Sequence, residues 1–140
     1  MKNILVPIDG SQFSNLAMDK AKEFADVFGS TVTLLYVDDS RQYIFNYNPE
    51  VERRYNEMFK KVSKEVIEGG KKRLADLGDR LKFEIKEGNI ANTILDYANE
   101  NDIDLIIIGP HGKGKIQRFL LGSVANKVAT YSNKPVLIVR

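Results

Sequence analysis

The stretch Gly109 to Ser123, GPHGKGKIQRFLLGS, gathers the groups of this chain best suited to chemistry. It follows Asp104-Leu-Ile-Ile-Ile108, an apolar run that reads as a buried strand, and precedes Val124 to Tyr131, where Val124, Val128 and Tyr131 recur at helical spacing. A glycine-rich loop between a strand and a helix start suits an anion. Glycines tolerate positive φ and let backbone come close, while the first N–H groups of the helix lack internal partners and carry the positive end of its dipole. The expected ligand is a phosphate carried by a nucleotide. Ser123 is expected to be the helix N-cap, and a cap hydroxyl beside free N–H groups also donates to phosphate. Lys113, Lys115 and Arg118 read either as a solvated loop face or as a source of one phosphate contact. His111, the only histidine, reads as a structural or solvent-facing loop residue rather than a catalytic one.

The spacing argues against two familiar phosphate motifs. Gly109-Pro-His-Gly-Lys-Gly114-Lys115-Ile116 comes one residue short of a P-loop, because Ile116 stands where a serine or threonine hydroxyl would ligate magnesium. The first strand-to-helix turn carries no G-x-G-x-x-G, which argues against a dinucleotide site.

The elements that must position the loop are legible along the chain. Ile4 to Ile8 reads as a first strand covered on both faces, with Pro7 near its end. Asp9-Gly10-Ser11 is a turn, and Ser11 or Ser14 can cap a helix whose face is Ala17, Ala21, Phe24, Ala25 and Phe28, stopped by Gly29. Thr31 to Val37 is a second buried strand ending at Asp38-Asp39-Ser40. The segment from Arg41 to Pro49 carries Tyr43, Phe45 and Tyr47 without a helical period and reads as a loop packing its aromatics or covering a site. A long helical pattern follows, with Val51, Tyr55, Met58, Val62 and Val66 on one stripe continued by Leu74 and Leu77. It is weakened or kinked at Gly69-Gly70 and ended by Gly78. Leu81, Phe83 and Ile85 alternate with charged residues, so the third strand has a wet face and belongs at or near a sheet edge. A short helix over Ile90 to Ala98, the strand ending at Ile108, the loop and its helix, and a last strand Val136 to Val139 complete the plan.

Strands alternating with helices predict an α/β fold: an open five-stranded parallel sheet with helices on both faces and right-handed crossovers. Ligands bind such sheets beyond the carboxyl ends of the strands, where strand order reverses. If strands one and four are neighbours there, Asp9 faces Gly109 across the crevice.

Composition sets the remaining bounds. A chain of 140 residues, 43% hydrophobic, fits a single domain over 1–140. The net charge of +2 makes no field that argues for nucleic acid or membrane partners. With no cysteine, disulfides and cysteine-based metal or redox chemistry are excluded. No apolar run reaches membrane-spanning length and no signal-peptide core precedes Asp9, so the expectation is a soluble, cytoplasmic protein.

Gly109-x-x-Gly112, nine residues, then Gly122-Ser123 resembles the ATP-binding motif of the universal stress protein family. The likeness extends to ILVPIDGS at the start, the turn Gly88-Asn-Ile-Ala-Asn-Thr-Ile94, DLIIIGPHG and the ending NKPVLIV, in the family's order. The resemblance implies a Rossmann-like, adenine nucleotide alpha hydrolase-like sheet with ATP, accompanied by Mg2+, at its switch point. It implies a homodimer through antiparallel pairing of Val136 to Val139. By position it brings Pro7, Asp9, Val37, Gly109, His111, Gly112, Gly122, Ser123 and Val124 to the nucleotide, with Asp9 on the adenine or ribose side and Val37 meeting adenine through its backbone. The 110–121 segment would wrap the nucleotide. Pro110 stands where the family often has serine, which removes a backbone donor.

Three functions follow. The chain reads first as an ATP-binding stress-response or signalling module with an unknown downstream partner. A slow or partner-activated ATPase or phosphotransferase would use the same pocket, although Asp9 and the basic loop residues are the only groups that can be named for hydrolysis, and no metal ligands can be assigned. A pure interaction module with an empty pocket is the third.

Overall fold

The computed structural model describes residues 1–43, 48–112 and 120–140, with Gln42 and Tyr43 described by their backbone alone. The expectations placed on Tyr43, Phe45 and Tyr47, and on Lys113, Lys115, Ile116 and Arg118, therefore lie outside the described side chains. Strands β1 (Asn3–Pro7), β2 (Thr31–Asp38), β3 (Leu81–Glu87), β4 (Leu105–Ile108) and β5 (Val136–Ile138) alternate with helices α1 (Gln12–Phe28), α2 (Pro49–Arg73), α3 (Ile90–Glu100) and α4 (Ser123–Tyr131). The order across the sheet is β3-β2-β1-β4-β5, and every pairing is parallel.

The continuous apolar runs are explained by cover on both faces. In β1, Ile4 and Val6 join α1 and α2 in one core with Val32, Leu34, Leu105 and Ile107. Leu5 points the other way, into a second core with Leu35, Val37, Ile106 and Ile108 under α3 and α4. Successive residues of one strand thus feed opposite layers, as period-2 geometry requires. The edge placement expected for β3 holds: Leu81 and Phe83 pack on the first core, and the apolar face runs out at Ile85, which is exposed.

Helix boundaries follow local chemistry. Ser11 caps α1, its side chain accepting from the Ser14 N–H, and Gly29 closes it in the left-handed region at φ 69°. Phe28, expected on the buried face, is exposed and stacks edge-on against Phe24 at 6.1 Å. Asn48 caps α2 with Pro49 in its first turn.

Helix α2 differs from the sequence expectation in three respects. It runs unbroken through Gly69-Gly70, and it ends at Arg73, after which Ala75–Arg80 forms a 3₁₀ segment containing Gly78 at φ 56°. Gly70 is a packing residue: a Cβ there would lie 2.5 Å from Leu34 Cδ1. Met58 is 60% exposed although it falls on the expected stripe. The face that docks runs through Tyr55, Ser63, Ile67 and Gly70, whose small members allow the closest approach, and Met58 sits about 120° round the helix from its centre. Tyr55, about two turns into α2, bonds Asp38 at the carboxyl end of β2, so the turns before it extend past that end of the strand.

Candidate functional site

Strand order reverses between β1 and β4, since β2 lies on one side of β1 and β4 on the other. The segments leaving these carboxyl ends build a cavity of about 520 Å³, within the usual range for small-molecule sites.

After Pro7, the Ile8 N–H still donates to the Leu35 carbonyl at 2.9 Å, which holds the β1 exit against β2. The Asp9 carboxylate then turns the chain into α1, its Oδ1 accepting from the Ser11 N–H at 2.9 Å. Its other oxygen reaches the glycine loop, where a Cβ built at Gly112 would sit 2.8 Å from Asp9 Oδ2. Asp9 thus touches Gly112 and shares the cavity with Gly109.

Gly109 has a different neighbour. A Cβ there would lie 2.8 Å from Phe13 Cβ and 2.9 Å from the Phe13 carbonyl oxygen, so this glycine lets β4 end flush against the first turn of α1. His111 continues the contact, its ring set edge-on to Phe13 at 5.4 Å. Pro110 has no N–H to give, but its carbonyl accepts from the Gly122 N–H at 2.7 Å and ties the two ends of the loop together. A Cβ at Gly122 would come within 3.1 Å of that carbonyl and 3.3 Å of His111 Cα. Gly109, Gly112 and Gly122 all have φ outside the positive region. Their glycine identity answers to space alone and not to the left-handed backbone that the sequence also allowed.

The N-cap of α4 is Gly122, not Ser123. Gly122 is extended (φ −62°, ψ 160°), and its carbonyl accepts the first intrahelical bond from Asn126 at 2.9 Å. Ser123 is the first helical residue, and no side chain caps the helix. The N–H groups of Ser123, Val124 and Ala125 therefore have no intrahelical acceptor, and they open this end of α4 to an anion.

The far wall comes from β2. Asp38 is buried and engaged three ways: Oδ1 accepts from the Ser40 N–H (2.8 Å), Oδ2 from the Tyr55 hydroxyl (3.3 Å), and its carbonyl from the Gly88 N–H (2.9 Å). Arg41 braces the same corner, donating to Glu87 (3.1 Å), Glu52 (2.7 Å) and Asn56 (3.2 Å), with its guanidinium 4.4 Å from the centre of the Tyr55 ring. The hydrogen bond to Glu52 is the first cause that raises its pKa further. Burial, reinforced by Asp38, Asp39 and Asp9, pushes the Tyr36 hydroxyl up to about 12. Burial likewise raises Tyr55.

All nine residues expected at the site, Pro7, Asp9, Val37, Gly109, His111, Gly112, Gly122, Ser123 and Val124, line this one cavity. Ser14, Tyr36, Ile90, Ile94, Ile108 and Ala125 line it too, although the sequence points to them only as cap, strand or helix residues and not as part of a site. Ile90 and Ile94 stand one helical turn apart on the face of α3 that joins the second core, a spacing that could have marked them. The cavity has two characters: Val37, Ile90, Ile94, Ile108 and Val124 make an apolar side, and Asp9, Asp38 and Asp39 an acidic one. Among the described residues no lysine or arginine lines it, and no cluster of three metal-ligating side chains occurs. No helix among them is long and apolar enough to cross a membrane.

Comparison with known proteins gives a consistent picture. The family model described as "Universal stress protein family" matches residues 1–140. The universal stress protein MJ0577 of Methanocaldococcus jannaschii is 35% identical, with 99% of this chain and 94% of that protein aligned. A solved structure of MJ0577 superposes with a TM-score of 0.81 at 37% identity, over 99% of this chain and 94% of that one. UspA of Lactobacillus plantarum superposes with a TM-score of 0.85 at 28% identity, covering 99% and 97% of the two chains. The universal stress protein of Archaeoglobus fulgidus in complex with dAMP shares the fold, with a TM-score of 0.70 at 22% identity over 100% and 98%.

Proposed function

The chain belongs to the universal stress protein family, and from that premise we propose that its cavity binds an adenine nucleotide, ATP with Mg2+, as a stress-response or signalling module. The observation that carries the reading is convergence. Residues chosen from three separate stretches of sequence line one cavity at the strand-order reversal, the place where open parallel sheets take ligands. The uncapped N–H groups of Ser123, Val124 and Ala125 suit the phosphates, and the apolar side suits a base. The dAMP complex of the Archaeoglobus protein lends an adenine nucleotide precedent within the fold.

Magnesium fits this site as a passenger of the phosphates. The described carboxylates offer hard oxygen donors without forming a cage, and Mg2+ is commonly held by phosphates, water and one or two carboxylates. The module is read as holding the nucleotide rather than cleaving it, because among the described residues the cavity offers backbone N–H groups for the phosphates and no lysine or arginine to neutralise a transferring phosphoryl group. It acts as a homodimer through β5. Ile106 N–H donates to the Pro135 carbonyl and Val139 N–H to the Ile108 carbonyl, so in a parallel ladder the backbone groups of Val136 and Ile138 face outward, free to pair with a second copy.

The test has two readouts. The purified protein is denatured and any released nucleotide identified by mass spectrometry. ATP with Mg2+ is then titrated while melting temperature and phosphate release are followed. Co-purified adenine nucleotide or a rise in melting temperature without phosphate release is expected. No nucleotide and no thermal shift would defeat the binding reading, and stoichiometric phosphate release would replace the holding module with an ATPase.

A further inference from the structure

We infer that Asp39 selects the base: its carboxylate accepts a hydrogen bond from the exocyclic amino group of a 6-aminopurine and repels a purine carrying oxygen at that position. The inference rests on the nucleotide reading above and adds to it a determinant of specificity. The three carboxylates lining the cavity differ in what they have free. Both carboxylate oxygens of Asp38 are engaged, by Ser40 and Tyr55. Asp9 has one oxygen bonded to the Ser11 N–H, with the other beside Gly112. Asp39 lines the cavity half-buried, with no hydrogen bond or ion pair to any described residue. A bound ligand that strips water from such a group must supply a donor in its place, or the unpaired charge opposes binding.

Sheet order assigns the donor. The uncapped end of α4 and the glycine loop lie beyond β4; β1 is the next strand, and β2 the one after it. Neighbouring strands are about 4.8 Å apart, so Asp9 lies one strand spacing from the phosphate end and Asp39 two spacings, about 10 Å. Phosphate, ribose and base follow in that order along a nucleotide. The ribose hydroxyls therefore meet Asp9, and the edge of the base meets Asp39, with Val37, Ile90 and Ile94 against its faces. The apolar side chains hold any purine by shape and do not tell one from another at position 6; beside the Val37 backbone, the Asp39 carboxylate is the charged group placed to read that edge. A carboxylate facing position 6 can, because an amino group donates to it while a ring carbonyl there opposes lone pairs with lone pairs, the N1–H of the oxo base offering a donor only at the neighbouring position.

ATP and ITP differ in this edge of the base, so their affinities test the assignment. Both are titrated calorimetrically into the full-length protein and into Asp39→Asn and Asp39→Ala, with thermal melts checking that each variant is folded. The wild type is expected to prefer ATP by at least about tenfold, the usual worth of a hydrogen bond to a charged group. Asp39→Asn, whose amide also donates, should weaken ATP and strengthen ITP until the ratio approaches one. Asp39→Ala should weaken ATP without that gain for ITP. Equal wild-type affinities, or a ratio unchanged in Asp39→Asn, overturn the assignment and leave the nucleotide reading standing. A folded wild type that binds neither nucleotide overturns both.

Discussion

Alanine at Gly109 and alanine at Gly112 should act on different properties, stability in the first case and nucleotide affinity in the second, because the added methyl group meets rigid backbone at Gly109 and a side-chain carboxylate at Gly112. Neither position needs positive φ, so each alanine gains about 0.4–1 kcal/mol by restricting the unfolded chain. At Gly109 the new Cβ would stand 2.8 Å from Phe13 Cβ and 2.9 Å from the Phe13 carbonyl oxygen. Comfortable carbon contacts lie at about 3.5–4.0 Å, so the first turn of α1 must move by several tenths of an ångström. That turn leads into Ala17, Met18 and Ala21, all in the first core, and overpacking of this kind costs about 1–3 kcal/mol. The net loss is about 1–2 kcal/mol, a fall in Tm of about 3–8 °C for a chain of this size. At Gly112 the obstacle is Asp9 Oδ2, which can swing aside, so stability should change by less than about 1 kcal/mol. Nucleotide affinity should nevertheless fall, since Asp9 and the loop are displaced together. Urea unfolding followed by circular dichroism, paired with ATP titration, separates the two effects. A Gly109→Ala protein as stable as wild type, or a Gly112→Ala protein that is the less stable of the two, would refute the argument from neighbours.

Gly70→Ala should destabilise by up to about 2 kcal/mol in urea unfolding, because the overpacking of its Cβ against Leu34, a side chain with no exposed surface to retreat into, outweighs the gain in helix propensity. Tyr55→Phe removes the hydroxyl that donates to buried Asp38 and should cost about 0.5–1.5 kcal/mol, read as a lower urea midpoint. The raised pKa of Tyr36 contributes stability that is fully present below the unfolded value near 10 and is lost as pH rises towards about 12. The urea midpoint should therefore fall across that window, and Tyr36→Phe should flatten the fall. The Asp104 carboxyl is held below its usual range by the N–H groups of Asn3 and Lys2, so its contribution is present above the unfolded value and disappears as pH falls through the folded one. Asp104→Ala should remove that part of the acid limb of a pH–stability profile. Ile138→Pro deletes an N–H that faces away from β4 and should convert a β5-paired dimer to monomer in light scattering.

What the sequence disclosed was set by local chemistry. Apolar runs separated by helical periods were enough for five parallel strands, and alternation in Leu81 to Lys86 was enough for an edge. The turn at Asp9 and the spacing of Gly109, Gly112 and Gly122 located the cavity wall. What stayed hidden depended on partners far along the chain. Gly109 is explained by Phe13 and Gly70 by Leu34, and no local rule links them. The same limit hid the partners of Asp38, which are Tyr55 and Gly88, although its place at the end of the second strand was legible. Met58 was misplaced because a periodic stripe does not say where small residues will rotate the docking face. The N-cap moved by one residue from Ser123 to Gly122 because serine's preference for caps gave way to the tie between Gly122 and Pro110.

The central claim is that this cavity holds a nucleotide with phosphates at the start of α4 and base against β2. Titration of isotopically labelled protein with ATP and Mg2+, followed by amide NMR shifts, tests it most directly. The account predicts saturable shifts concentrated at Ser123, Val124, Ala125, Gly112 and Val37, with little change at Gly29 or Lys2 at the opposite end of the strands. An unchanged spectrum, or shifts confined to that opposite end, would contradict it.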